Sequence, residues 1–247
     1  MKKEQLLFPL HFLLLILLLS ILCLLISLLA GRFLPASEDV ETLPHTQTPT
    51  VILDAGHGGE DGGAVSASGI YEKTLNLAFA TQLQQLLCAN GIEVIMTRET
   101  DTLLYDRNVD FQGRKKALDL AARLKIAERI PNSIFVSIHM NAYPLTQYSG
   151  LQVWYSRNHI ASAEIAQQIQ DTVGQYLQPE NDRRIKAATS SIYLLHRIKS
   201  PAVLVECGFL SNPEEARLLD SPAYQKKLSL LLFLSLMQSI TIRDKNP

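Results

Sequence analysis

Cysteine is scarce in this chain of 247 residues, which contains only three, at positions 23, 88 and 207. Three cysteines cannot build the kind of disulfide framework that holds small secreted domains together. We expect Cys88, in a helical pattern, and Cys207, in a strand pattern, to be small apolar side chains packed in the interior. The fold must therefore rest on a hydrophobic core, for which about 200 residues are sufficient.

A concentrated block of basic residues is also missing. Lysine and arginine total 23 against 24 aspartate and glutamate residues, and the net charge is −1. Binding to nucleic-acid phosphates requires a basic patch, so we expect no nucleic acid among the partners. We expect the two short basic runs, residues 114–116 and 183–184, to be solvated surface. The sequence shows no internal repeat and no second binding module.

Charged residues are absent from residues 12–30, a stretch made largely of Leu and Ile. This length exceeds the ~7–15 apolar residues of a signal peptide and approaches the ~20 needed to span a bilayer. Two lysines precede the stretch, which by the positive-inside rule leaves the N-terminus in the cytoplasm. We therefore expect residues 1–30 to form an uncleaved single-pass membrane anchor with the rest extracytoplasmic; a cleaved signal is the alternative. Residues 31–49 mix Pro, Thr, Ser and acidic residues, which predicts a linker.

Strand and helix patterns alternate over the remaining part of the chain, residues 50–247. Short apolar runs predict strands at residues 50–54, 92–97, 133–139, 151–155, 191–195 and 202–207. Apolar residues at helical spacing predict helices at residues 72–90, 115–129, 160–177, 213–219 and from 222 onward. The second helix is expected to pack through the face formed by Leu118, Ala122, Ile126 and Ile130. The alternation predicts a single α/β domain with a mainly parallel sheet.

Three of the predicted strands lead into side chains that can bind a metal ion or move a proton. His57 follows the first strand in the sequence Asp-Ala-Gly-His, while His139 and Glu206 each lie at the end of a strand. Because ligands collect at the carboxyl ends of parallel strands, we expect these three residues at one sheet edge. Glu72 opens the first helix. The set offers two imidazoles and one carboxylate for a catalytic zinc ion, and a second carboxylate for proton transfer.

Taken singly, three of these residues have a simpler structural explanation. A turn between glycines would account for His57, and a hydrogen-bonded core position would account for His139. A carboxylate at Glu72 is favoured by the positive end of the helix dipole whatever its function. Glu206 is different, because an unpaired carboxylate at the end of a buried Val-Leu-Val run is costly. The occurrence of all four at corresponding places favours a functional site.

The motifs around these residues resemble those of the zinc-dependent N-acetylmuramoyl-L-alanine amidase family. The resemblance covers residues 50–240, and the motifs that carry it are residues 51–63, 72–73, 76–77, 135–142 and 201–213. It implies a six-stranded sheet flanked by helices. It also implies a zinc ion held by His57, Glu72 and His139, with catalysis by Glu206.

A finer resemblance, carried by residues 192–195 and 205–216, is to membrane-anchored spore-cortex amidases within this family. It implies a role in forming the muramic-δ-lactam of the spore cortex. Cell-division amidases of the family often insert a regulatory helix after the second histidine motif. Here only residues 143–150 follow that motif before the next strand, so we expect no such internal plug. The implied partners are peptidoglycan and, through the anchor, the membrane; the need for an accessory protein is left open.

The implied reaction is hydrolysis of the amide between the lactoyl group of muramic acid and the L-alanine of the stem peptide. We expect zinc to polarise the carbonyl and acidify water, and Glu206 to pass the proton of that water to the leaving nitrogen. Asp54 and Asn141 are candidates for orienting the histidines. Two alternatives are a cysteine hydrolase that uses Cys207 and His139, and a membrane-tethered module that binds peptidoglycan without cleaving it.

Overall fold

The computed structural model describes residues 12–13, 15–26, 48–106, 108 and 112–245. The chain divides into two compact units, Met1–His45 and Thr46–Pro247. In the first unit the described residues are helical. Among the described residues, no helix has both the length and the apolar character needed to cross a membrane. The anchor predicted for residues 1–30 and the linker predicted for residues 31–49 lie largely outside the described residues, and both stay predictions.

The second unit is built on a six-stranded sheet. Its strands are β1 (Thr50–Ala55), β2 (Val94–Met96), β3 (Ser133–Asn141), β4 (Gln152–Tyr155), β5 (Lys186–Ala187) and β6 (Ala202–Phe209). Their order across the sheet is β2-β1-β3-β6-β4-β5. The described pairings are parallel except for that of β4 with β6. The sheet is therefore mixed, with a parallel majority as predicted.

Helices flank this sheet. They are α1 (Glu72–Ala89), α2 (Lys115–Glu128), α3 (Ala161–Tyr176), α4 (Tyr193–Arg197), α5 (Pro213–Leu219) and α6 (Pro222–Lys245). The start of α5 shows why the sequence folds locally as it does. Asn212 caps the helix by accepting hydrogen bonds from the backbone N–H groups of Glu214 and Glu215, and Pro213 occupies the first helical position.

The core has two parts, because strand side chains alternate between the two sheet faces. The larger cluster includes Val51, Leu53 and Val136 of the sheet and packs against α1, α3 and α6. The smaller cluster includes Ile52, Phe135 and Leu204 and packs against α2 and α4. Asp54, His139 and Glu206 each lie an even number of residues from a member of the smaller cluster in the same strand. Their side chains therefore project from the sheet face that carries the smaller cluster.

Two predictions about local structure are wrong. Residues 191–195, predicted as a strand, run instead into α4, which buries the adjacent Leu194 and Leu195 in one cluster. A strand would send neighbouring side chains to opposite faces, whereas a helix can direct both toward one neighbour. The strand that replaces it in the sheet is β5, which has only two residues and is therefore too short to produce an apolar pattern.

The second wrong prediction concerns Cys88, which is exposed because it lies on the solvent side of α1. Cys207 is buried as expected.

Candidate metal centre and active site

His57 lies in the loop that follows β1, in an unusual backbone conformation. Its φ angle is 59°, and those of Gly58 and Gly59 are 138° and 54°. Non-glycine residues rarely adopt positive φ, and such strain persists only where the surroundings hold it. Here the imidazole is held from both sides: Nε2 lies 3.2 Å from Glu72 Oε1 and Nδ1 lies 2.9 Å from Asp61 Oδ2.

Two buried arginines hold the backbone of the same loop. Arg123 donates hydrogen bonds from Nη1 to the Ala55 carbonyl at 2.8 Å and from Nη2 to the His57 carbonyl at 2.7 Å. Arg98 donates from Nη2 to the Gly56 carbonyl at 2.9 Å. Buried carbonyl groups need such partners where regular pairing ends. The strained turn at His57 is thus fixed by two cations from elements distant in sequence.

Glu72 is the centre of the site. It is the first residue of α1 and is buried. Its Oε1 lies 2.9 Å from His139 Nδ1 and accepts a hydrogen bond from the Met140 backbone N–H at 3.1 Å. Its Oε2 accepts one from the Ala64 N–H at 2.7 Å. Burial raises the pKa of Glu72, but the hydrogen bonds and charges of His139 and His57 outweigh it and hold that pKa well below its ordinary value.

His139 completes a cluster that can hold a metal ion. Its ring centroid is 5.0 Å from that of His57. One ligand atom from each of His57, Glu72 and His139 lies within 4.8 Å of the other two. Gly56 leaves the necessary room, because a Cβ atom there would overlap the His139 ring. Two imidazoles and one carboxylate are a donor set found in catalytic metal centres, so the residues present fit such an ion.

Glu206 stands beside this cluster. It is the neighbour of His139 across the β3–β6 pairing. Its Oε2 atom is buried and has no hydrogen-bond partner in the part of the chain that the structure describes. Burial, which disfavours the charged form, raises the pKa of Glu206 to about 7. A carboxyl group with this pKa can both accept and release a proton near neutral pH.

The two residues predicted to orient the histidines have different surroundings. Asp54 accepts hydrogen bonds from Thr97, Ser137 and Arg123. Burial raises the pKa of Asp54, but the charge of Arg123 and these hydrogen bonds outweigh burial. The pKa of Asp54 is therefore below its ordinary value. Its link to His57 runs through Arg123, which bonds to the His57 carbonyl. Asn141 lines the cavity in front of the site. Both roles stay predictions.

Sequence reasoning missed Asp61 and Arg123. Asp61 lies four residues after His57 in a Gly-rich loop, and this spacing was the available signal for a carboxylate that contacts the imidazole. Arg123 gave no such signal, because the sequence of an amphipathic helix does not distinguish a buried arginine from a solvent-exposed one. Arg123 is buried, and its Nε donates a hydrogen bond to Asp119 Oδ2 at 2.7 Å. Asp61 contacts the His57 imidazole, and Arg123 donates a hydrogen bond to the His57 carbonyl.

A cavity of about 420 Å³ adjoins the group formed by His57, Glu72 and His139. His57, His139 and Glu206 line its floor. Its walls combine apolar side chains with polar ones, and they include Leu120, Trp154, Tyr193, Ser191 and Lys116. A pocket with an apolar wall and a few convergent polar groups is the usual form of a small-molecule or peptide site.

Cys207 is not placed to act with His139. Alternation along β6 turns its side chain to the opposite sheet face, where it belongs to the larger hydrophobic cluster. Burial raises the pKa of the Cys207 thiol well above its ordinary value. A nucleophilic cysteine needs the opposite, an accessible thiolate. The geometry therefore disfavours the cysteine hydrolase.

The fold and the site together define a hydrolase of the α/β class, with a candidate metal centre at the carboxyl edge of its sheet. The family model described as N-acetylmuramoyl-L-alanine amidase (Amidase_3) matches residues 51–236. The chain belongs to this family and is a peptidoglycan amidase, as its motifs predicted. The reading as a non-catalytic binding module is not supported.

Relatives of known name extend the comparison. The chain is similar to the germination-specific N-acetylmuramoyl-L-alanine amidase of Bacillus subtilis, with 37% identity over 197 residues that cover 80% of this chain and 82% of the relative. Among solved structures it is similar to the CwlD amidase of Clostridioides difficile in complex with the GerS lipoprotein, at 36% identity and a TM-score of 0.74, over 78% of this chain and 99% of that one. It also resembles the catalytic domain of CwlV from Bacillus (Paenibacillus) polymyxa, at 30% identity and a TM-score of 0.64, over 78% of this chain and 98% of that one.

Proposed function

We propose that this chain is a zinc-dependent amidase that cleaves the bond between N-acetylmuramic acid and the L-alanine of the stem peptide. One observation carries the proposal: Glu72 Oε1 lies 3.2 Å from His57 Nε2 and 2.9 Å from His139 Nδ1. Of the metals that two imidazoles and a carboxylate bind, zinc is the one used in hydrolases with this donor set. When bound, zinc acts as a Lewis acid that polarises a carbonyl and acidifies water.

In this proposal Glu206 moves the proton. Glu206 lines the cavity, and its Oε2 has no competing hydrogen bond among the described residues, so the carboxylate is free to accept a proton from the attacking water. The same group then delivers that proton to the alanine nitrogen as the amide bond breaks. The second transfer is needed because an amine anion is a very poor leaving group. A pKa of about 7 suits both directions of transfer.

The other residues of the site hold the imidazoles in place. The Asp61 carboxylate lies 2.9 Å from His57 Nδ1, where its charge favours a proton on that nitrogen and leaves Nε2 available. Arg123 fixes the His57 backbone and is itself held by Asp54 and Asp119. Because each of these groups is buried or part-buried, the site is organised before substrate arrives.

We also propose that the enzyme acts on the spore cortex from an anchored position. Support for the cortex role comes from the Bacillus subtilis relative, which is named for germination. Support for an accessory lipoprotein comes from the CwlD structure, which contains GerS. Support for a single-pass anchor and an extracytoplasmic domain comes from the uncharged residues 12–30 that follow two lysines.

Mass spectrometry of peptidoglycan digested with the full chain in detergent tests the reaction. We expect release of free stem peptides only when zinc is present. Glu206→Gln should retain zinc and lose at least about 100-fold in turnover, the usual contribution of a general acid–base. His57→Ala should lose both zinc and turnover, and Glu99→Gln, at an exposed position, should resemble the wild type. A Glu206→Gln enzyme with wild-type turnover would sink the assignment.

A further inference from the structure

Two exposed tyrosines form a surface that the reaction described above does not use. Tyr143 and Tyr148 lie in the segment that joins β3 to β4. Their ring centroids are 5.1 Å apart in a T-shaped arrangement. They remain 52% and 37% exposed, respectively, although both are large apolar side chains. We call this pair the tyrosine platform.

The platform is held in a fixed shape. The Tyr143 backbone N–H donates a hydrogen bond to Ser211 Oγ at 3.0 Å. Further along, Arg183 Nε donates to the Ser149 carbonyl at 2.6 Å. The Gly150 N–H donates to the buried Glu215 carboxylate at 2.8 Å. With three fixed points in one short segment, a ligand would lose little affinity to ordering the loop.

Arg183 also packs against the platform. It was predicted to be a solvated side chain, but it is part-buried. Its guanidinium carbon lies 4.5 Å from the Phe209 ring centroid and 5.7 Å from that of Tyr148. A guanidinium stacked on aromatic faces keeps its N–H groups directed outward. The platform therefore combines apolar ring faces with a hydrogen-bond donor at its margin.

The platform lies at the same sheet edge as the reacting groups. His139 pairs with Glu206 across β3 and β6, and Asn141 pairs with Phe209 just beyond them. At a rise of about 3.3 Å per residue, Asn141 lies about 7 Å past His139 along the strand. Tyr143 follows two residues later. The chain then crosses the end of β6 to reach β4. Asn141 lines the cavity that contains Glu206, whereas Tyr148 and Arg183 line a second cavity of about 550 Å³. The platform therefore begins two residues beyond the site cavity along the chain.

The substrate has a part that suits this position. In the proposed reaction the scissile carbonyl is joined through the lactoyl group to a sugar ring, so the glycan must lie within a few bonds of Glu206. A glycan strand continues in both directions past the reacting bond, whereas the stem peptide is a short branch that can occupy the cavity of about 420 Å³. Pyranose rings present apolar C–H faces that stack on aromatic rings, and polar groups at their edges.

We propose that Tyr143 and Tyr148 bind the glycan strand of peptidoglycan by stacking against its sugar rings, with Arg183 donating to the sugar substituents. This inference rests on the proposed function. It assigns the two halves of the substrate to separate surfaces, the strand to the platform and the stem peptide to the cavity.

Binding of soluble glycan strands stripped of their stem peptides tests the platform, because these strands contain no bond for the enzyme to cleave. The double variant Tyr143→Ala, Tyr148→Ala in the full chain should bind them at least about fivefold more weakly, as expected for loss of anchoring aromatic residues. Its KM for intact sacculi should rise by a similar factor with kcat unchanged. Tyr143→Phe with Tyr148→Phe should restore binding, because the stacking faces remain.

Ile160→Ala is the matched control. Ile160 is 83% exposed and follows β4 at the opposite sheet edge, so this variant should bind glycan like the wild type. Thermal unfolding of each variant checks that the fold is intact, and each single tyrosine variant should show part of the loss. Wild-type glycan affinity in the double variant would overturn the inference, as would weakened binding of free stem peptide in place of glycan. A wild-type protein that binds glycan but releases no stem peptide would overturn the proposed function alone.

Discussion

Replacing Glu206 by glutamine should stabilise the metal-free protein at alkaline pH. The Oε2 atom of Glu206 is buried and has no hydrogen-bond partner among the described residues. Ionising a group in that position is unfavourable, and burial raises its pKa from 4.5 to about 7. Glutamine has the same shape and never ionises. The variant therefore removes the charge and leaves the packing nearly unchanged.

The size and sign of the effect follow from proton linkage. Because the folded pKa is above the unfolded one, the folded state binds more protons, and the associated stability is fully present below about pH 4.5. It is lost as the pH rises through about 7. Each pKa unit corresponds to about 1.4 kcal/mol, so the total is about 3 kcal/mol. Wild type and Glu206→Gln should thus have similar unfolding free energies at about pH 4.5, and the variant should be about 3 kcal/mol more stable above about pH 8.

Urea unfolding of chelator-treated protein across this pH range provides the measurement. Metal must be removed, because an ion that binds only the folded state would mask the difference. Glu99→Gln, which replaces an exposed glutamate, controls for the general effect of losing a negative charge. Parallel pH curves for wild type and Glu206→Gln would show that Glu206 is not desolvated, and they would remove the basis for its role in proton transfer.

Two further predictions concern the support of His57. Asp61→Asn removes the carboxylate charge that lies 2.9 Å from His57 Nδ1, and zinc affinity in a chelator competition titration should fall about 10- to 100-fold; unchanged affinity would contradict an orienting role. Arg123→Met leaves Asp54 and a second buried aspartate without their shared cation, and the unfolding free energy in urea should fall by about 3–5 kcal/mol. Arg129→Met, at an exposed position, should change it by less than about 0.5 kcal/mol, and an equal loss in both variants would refute the argument.

Strand periodicity was sufficient to predict most of the sheet and two members of the site. His139 and Glu206 each lie near the end of a buried apolar run, and their strands are parallel neighbours. Once both strands are assigned, their common edge follows from topology alone. Alternation also explains why Cys207, the neighbour of Glu206, lies on the other sheet face. These inferences need only the two-residue repeat of a strand.

The positions of Glu72 and Arg123 in the site could not be predicted from hydrophobic periodicity. Glu72 reaches the histidines because the preceding loop folds back, with its Oε2 bonded to the Ala64 N–H, and no local pattern encodes that return. In α2 the predicted face was Leu118, Ala122, Ile126 and Ile130, whereas the buried residues are Asp119, Arg123 and Ala127. Ile126 and Ile130 of the predicted face do pack against the smaller cluster, but the fully buried row lies one position further along the helix and includes the ion pair with β1. Hydrophobic spacing cannot anticipate that ion pair, because the partner carboxylate is 69 residues away in sequence.

The reversed direction of β4 has a consequence for the segment that joins it to β3. A parallel strand after β3 would need a connection of about a dozen or more residues, usually a helix, to return to the other end of the sheet. Because β4 is antiparallel to β6, the chain leaves β3 and enters β4 at one end, through residues 142–151 only. No returning helix is required there, and the tyrosine platform is built from this short connection alone.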